Sequence, residues 1–180
     1  MAALVALLRG INVGGNTLVS MAALRELAAG LGYEDARTHL QSGNLVLSTR
    51  KSPASVASEL EKALAREHGR SIRVLVRTDK ELAEVVRRDP FKRLVTDPRH
   101  YAVSFLSEAP EAARVKAVDA AAFEPEVFRV IGREIYVWLP GGMGRSRLMS
   151  QLSERRLGVV ATVRNWNTVT ALLRMTQPGA

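Results

Sequence analysis

Apolar positions along this chain recur with two different periods, and the switches between them mark out the elements. Residues 3–8, ALVALL, form an unbroken apolar run of strand length, as a strand buried on both faces requires. From 20 to 31 the spacing lengthens: Met21, Leu24, Leu27, Ala28 and Leu31 line one helical face, Ser20 supplies an N-cap, and Gly30 and Gly32 end the helix. Strands are predicted over 37–41 and 45–49, with Ser42-Gly43-Asn44 as the tight turn between them. Ser52-Pro53 opens a second helix with proline in its first turn. Val56, Leu60, Ala63 and Leu64 form its buried face, and Gly69 stops it before a strand over 72–76. The order β-α-β-β-α-β within residues 1–78 predicts a ferredoxin-like plait, two helices covering one face of a four-stranded antiparallel sheet.

The second half repeats this order less regularly. Thr78-Asp79-Lys80-Glu81 reads as a capping box that starts a short helix, ended by Pro90. A strand over 101–106, an Ala-rich helix over 110–121 and a hairpin of 127–131 with 134–139 around Gly132-Arg133 follow. A glycine-rich loop, 140–144, leads into a helix containing Leu148, Met149 and Leu152. A short extended piece at 159–163 precedes a last helix with Val169, Leu172 and Leu173 inward. The expected fold class is therefore α+β: a plait over 1–78, then a second, smaller α+β half over 79–180 that is a degenerate repeat of the first.

Composition narrows the chemistry. The 180 residues contain no cysteine, which excludes disulfides, thiolate metal sites and cysteine nucleophiles. Three histidines, His39, His68 and His100, have no ligand-like spacing, so neither a metal nor another cofactor is expected. No apolar run is long enough to cross a bilayer, and the apolar start breaks at Arg9 without a cleavage site, so no membrane partner and a cytoplasmic location are expected. Twenty-six basic against 18 acidic residues give a net charge of +8, and residues 140–180 hold six arginines and one glutamate. That balance attracts phosphate-bearing partners at long range, or else is simply a charged solvated surface.

Several motifs occur together in a familiar order. These are Leu7-Leu8-Arg9-Gly10-Ile11-Asn12-Val13-Gly14-Gly15, Gln41-Ser42-Gly43-Asn44, Asp89-Pro90-Phe91, Ile135-Tyr136, Pro140 with Gly142, Ser146 before a basic residue and Leu148, and Thr162-Val163-Arg164-Asn165-Trp166-Asn167-Thr168-Val169. Across almost the whole chain they resemble the bacterial family called domain of unknown function 1697. Arg147 stands where that family tends to have lysine, and His39 where an aromatic or polar residue is usual. The resemblance implies a two-part α+β fold with a plait-like N-terminal half, and no particular activity.

Plait geometry points to one place for a ligand. A right-handed crossover makes the first two strands parallel, so both finish at the same edge of the sheet. The loop after the first strand and the turn after the second should therefore converge, bringing together Arg9, Asn12, Asn16, Gln41, Ser42 and Asn44 beside Gly10, Gly14, Gly15 and Gly43. Arginine, amides and free backbone N–H groups there suit a small anion. The alternative assigns the glycines to a bent loop and a turn, and the asparagines to bonds with their own backbone; Arg9 would then pair with a carboxylate such as Glu26. Residues 10–17 also have P-loop spacing, but Asn16 replaces the lysine and the helix starts later, which argues against a nucleoside triphosphatase.

Two further patches are candidates. Ser146 and Arg147 follow glycines at a helix start, where a hydroxyl, amides and charge can meet a phosphate, or where Ser146 is an ordinary N-cap. Arg164 and Asn165 precede the last helix, with Trp166 either stacking on a base or packing on the core. No Ser-His-Asp arrangement or carboxylate pair is evident, so whether the protein is an enzyme stays open. The leading expectation is a binder of a small phosphorylated or anionic molecule at the strand-one/hairpin edge. A nucleic-acid-binding module and a protein-interaction or assembly module are the alternatives.

Overall fold

Ser20 and Ser52 act as N-caps: their side chains accept hydrogen bonds from the N–H groups of Ala23 and Ser55, and helices follow at once. The computed structural model describes residues 1–14 and 18–177. The first helix, α1, spans Met21–Gly30, and the second, α2, spans Pro53–His68, closed by Gly69 at φ +66°. They alternate with strands β1 (Ala2–Leu8), β2 (Glu34–His39), β3 (Asn44–Thr49) and β4 (Val74–Thr78). The sheet order is β2-β3-β1-β4 with every neighbouring pair antiparallel, so β1 and β2 run parallel with β3 between them.

Side-chain alternation sorts this sheet into two apolar faces. Leu4, Ala6, Leu8, Leu45, Leu47, Val74 and Val76 pack with Leu24 and Ala28 of α1 and Val56, Leu60 and Leu64 of α2. On the opposite face Val5, Leu7, Val46 and Leu75 are also buried, together with Arg77. Burial on both faces is why β1 reads as a continuous apolar run rather than an alternating one.

The remaining elements are α3 (Asp79–Arg87), β5 (Tyr101–Leu106), α4 (Ala112–Lys116), β6 (Val127–Ile131), β7 (Glu134–Trp138), α5 (Leu148–Gln151), α6 (Glu154–Leu157), β8 (Ala161–Asn165) and α7 (Trp166–Met175). Their sheet has the order β6-β7-β5-β8, strand for strand the order of the first. Leu148, Leu152 and Leu157 cover the face carrying Ala102, Leu106, Ile135 and Val137. Tyr101, Val103, Phe105, Tyr136 and Trp138 are buried on the other. By contacts the chain falls into two compact units, 1–84 with the chain from 170 onward, and 85–169, so the boundaries lie inside α3 and α7. The division expected at 78/79 follows chain order alone; grouping by contacts places the last segment with the first unit.

The Ala-rich helix expected over 110–121 shortens to the five residues of α4, followed by a 3-10 turn at Ala120–Phe123. Two causes act together. Only Val115 and Val118 of this mostly exposed stretch pack on the core, too small an apolar face to support a longer helix, and Asp119 turns its carboxylate onto the N–H of Ala121 and starts a new turn.

Candidate functional site

Asn12 and Asn44 organise the edge where β1 ends and the β2–β3 turn begins. Asn12 sits at φ +55°, a conformation asparagine tolerates better than most residues. Its Nδ2 donates to the carbonyls of Val19 (2.9 Å) and Gln41 (2.7 Å), and its Oδ1 accepts from the N–H of Val19 (2.9 Å). One side chain thus ties together the exit loop, the approach to α1 and the hairpin. Asn44 is fully buried, and its Nδ2 donates to the carbonyl of His39 (2.8 Å) and to Ser42 Oγ (3.0 Å). Gly43, at φ +76°, accepts on its carbonyl oxygen a hydrogen bond from the Leu8 N–H at 2.8 Å; a Cβ there would lie 2.6 Å from Ile11 Cδ1. The two loops are packed together at that point.

This division of labour separates the predicted residues. Asn12 and Asn44 spend their amides on backbone and turn groups, which is the scaffold role. Arg9, Gln41 and Ser42 are exposed at the same edge. Gly10 (φ +65°) and Gly14 (φ +58°) have no atom within 4 Å of where a Cβ would stand, so their backbone is open to approach. Gly15 and Asn16 lie outside the described residues. Three exposed apolar side chains escaped the sequence reading here: Val13, Leu18 and Leu40 each adjoin a residue bonded by or to Asn12, namely Asn12 itself, Val19 and Gln41. Isolated exposed hydrophobes give no periodic signal in the sequence.

At the second patch a carboxylate of the protein already holds the position expected for an anion. Glu126 Oε2 accepts from Ser146 Oγ (2.9 Å) and from the N–H of Leu148 (3.3 Å), while Ser146 Oγ accepts from the N–H of Met149 (3.1 Å). Arg147 is exposed beside this cluster. At the third patch Asn165 Oδ1 accepts from the N–H of Thr168 (2.9 Å) and caps α7. Arg164 lies in β8, buried, with Nη1 donating to Thr162 Oγ1 and the carbonyl of Val163, both at 2.8 Å. Burial pulls its pKa down to about 10. Trp166 stacks on Tyr101, ring centroids 4.7 Å apart. All four predicted residues of these patches belong to unit 85–169, whereas Arg9, Asn12, Gln41, Ser42 and Asn44 belong to the other.

Among the described residues, no three His, Asp or Glu side chains converge as a metal site would require, and no helix is long and apolar enough to cross a membrane. Sequence reasoning also missed a groove of about 550 Å³ within unit 85–169, because its walls come from separate elements and its aromatic members read as core.

Residues 1–136 match the family model described as a protein of unknown function, DUF1697. The chain belongs to this family. In structure, this DUF1697 chain is similar to a conserved bacterial protein from Streptococcus pneumoniae, with a TM-score of 0.77 and 22% identity over 98% of this chain and 99% of that one. At that identity the likeness shows the shared fold alone. No curated protein matches the sequence.

Proposed function

We propose that the protein binds a small phosphorylated or otherwise anionic molecule at the edge where the β1 exit loop meets the β2–β3 turn. The observation that carries this reading is the 2.7 Å bond from Asn12 Nδ2 to the Gln41 carbonyl, which holds two segments 29 residues apart as one surface. On that surface Arg9 supplies the cation, Gln41 and Ser42 supply donors, and Gly10 and Gly14 allow close approach. Val13, Leu18 and Leu40 suit a ligand with an apolar body beside its anionic group. We read the strand order of each unit, with helical crossovers, as a ferredoxin-like plait, the second a degenerate copy of the first. That topology is what sets two strand ends side by side.

A thermal-shift series with inorganic phosphate and sugar phosphates tests the reading. A ligand at about one hundred times its Kd stabilises by about 2.7 kcal/mol, or about 5 °C or more at this chain length. The expected result is such a shift in the wild type and its loss in an Arg9→Ala, Ser42→Ala double variant. No shift with any anion, or an equal shift in the double variant, overturns it.

Nucleic acid is the second reading, favoured by the net charge of +8. Against it, the sheet face that RNA-recognition motifs expose with aromatic residues here carries the buried Val5, Leu7, Val46 and Leu75. Electrophoretic mobility at two salt concentrations separates the readings, since phosphate-driven binding weakens steeply with salt. Light scattering reads out the third reading, an assembly role.

A further inference from the structure

Beyond the β1 edge, we propose a second and separate binding site in unit 85–169: a groove that takes a mononucleotide, base against Trp166 and phosphate toward Arg87 and Lys92. Its volume, about 550 Å³, is in the range of small-molecule sites, and its lining also includes Asp89 and Tyr101. Four features of that lining point to this ligand class.

Trp166 is half-buried, so part of its indole remains open to the groove, while Tyr101 stacks against it at 4.7 Å with 29° between the planes. Phe91 meets the Tyr101 ring edge-on at 6.2 Å. The indole is therefore a braced surface, and a flat heteroaromatic ring gains most from such a platform. Lys92 is exposed on the groove wall, and among the described residues no hydrogen bond or ion pair holds its ammonium elsewhere. With the exposed Arg87 it gives the groove two cations against the single carboxylate of Asp89, a balance suited to a phosphate. Asp89 Oδ1 is taken by the Tyr101 hydroxyl (2.6 Å) and the Phe91 N–H (3.0 Å), which fixes the carboxylate in place. Its acceptor capacity matches the ring or exocyclic N–H of a base, which an aromatic acid or a sugar phosphate lacks.

Calorimetric titration of the wild-type protein with AMP, GMP, CMP and UMP, and with ribose 5-phosphate and adenosine as half-ligands, tests this. At least one mononucleotide should bind about ten-fold or more tightly than either half-ligand, the difference expected when one stacking or phosphate contact is lost. Lys92→Ala changes only an exposed side chain and should weaken that nucleotide about ten-fold without shifting the thermal midpoint. In a Trp138→Phe background, which leaves Trp166 as the sole tryptophan, the same titration should quench fluorescence. Arg9→Ala with Ser42→Ala should leave all of these results unchanged, so failure here is distinguishable from failure of the β1-edge reading. Absence of nucleotide binding, equal affinity for ribose 5-phosphate, or undiminished binding in Lys92→Ala overturns the proposal.

Discussion

Asn44 and Gly43 show how a polar motif can be spent on holding a turn. Replacing the buried Asn44 with alanine removes the donor to the part-buried His39 carbonyl and to Ser42, a loss of about 1–3 kcal/mol measurable by urea denaturation. Gly43→Ala should cost at least as much, because it combines a positive φ with a Cβ 2.6 Å from Ile11 Cδ1 and 2.8 Å from Leu8 Cβ. The residue types at this edge were legible in the sequence, but their roles were not. An asparagine in a glycine-rich loop has the same letter whether its amide faces solvent or a carbonyl 29 residues away. Tyrosines make a pH prediction at the same scale. Burial and bonds to Glu59 and Asp89 raise the pKa values of Tyr33 and Tyr101 above the ordinary 10.0. Unfolded chains release those two protons first as pH passes about 10, so stability present below that pH declines above it. Arg164, with its pKa lowered to about 10, acts in the opposite direction, one guanidinium against two phenols. Phenolate absorbance of the folded protein should therefore lag behind that of the denatured chain as pH rises past 10.

At the scale of elements, local chemistry set the boundaries that the sequence predicted best. Ser20, Ser52, Gly69 and the Thr78–Glu81 capping box each act within a few residues, and each does so in the structure: Glu81 Oε2 accepts from the Thr78 N–H at 2.8 Å, and Thr78 Oγ1 from the Glu81 N–H at 3.1 Å. Where no such signal exists, boundaries moved. β8 begins at Ala161, two residues beyond the expected start, with its first N–H bonded to Glu154. Helix propensity alone did not extend α4, since propensity without a buried face is weak. The start of α5 yields an element-scale prediction. Removing the carboxylate in Glu126→Ala leaves Ser146 Oγ and the Leu148 N–H without their acceptor, at about 1–3 kcal/mol. Added inorganic phosphate should raise the thermal midpoint of this variant by more than it raises that of the wild type. Equal phosphate effects on both proteins would show that these donors have no anion preference of their own.

On the scale of the whole molecule, the two sheets share one strand order, and the second half of α7 groups with the first unit. Within that unit Arg37 Nη2 donates to the carbonyl of Met175 at 2.6 Å, and Leu172 is buried. Deleting residues 170–180 removes both interactions. A buried leucine alone is worth about 2–5 kcal/mol, so the thermal midpoint should fall by about 4 °C or more; an unchanged midpoint would show that this segment adds nothing to the first unit.

Periodicity, caps and turn residues determined the kind and order of most elements, because each depends on interactions that reach only a few positions along the chain. The fold alone decided which polar side chains stay at the surface and which are used up inside. Asn12 binding Gln41, Glu126 occupying the donors at Ser146, and Trp166 meeting Tyr101 are encounters between distant segments, set by how layers pack. No local pattern records those encounters, since a hydrogen bond or ring contact across the fold leaves each partner's sequence neighbourhood unchanged.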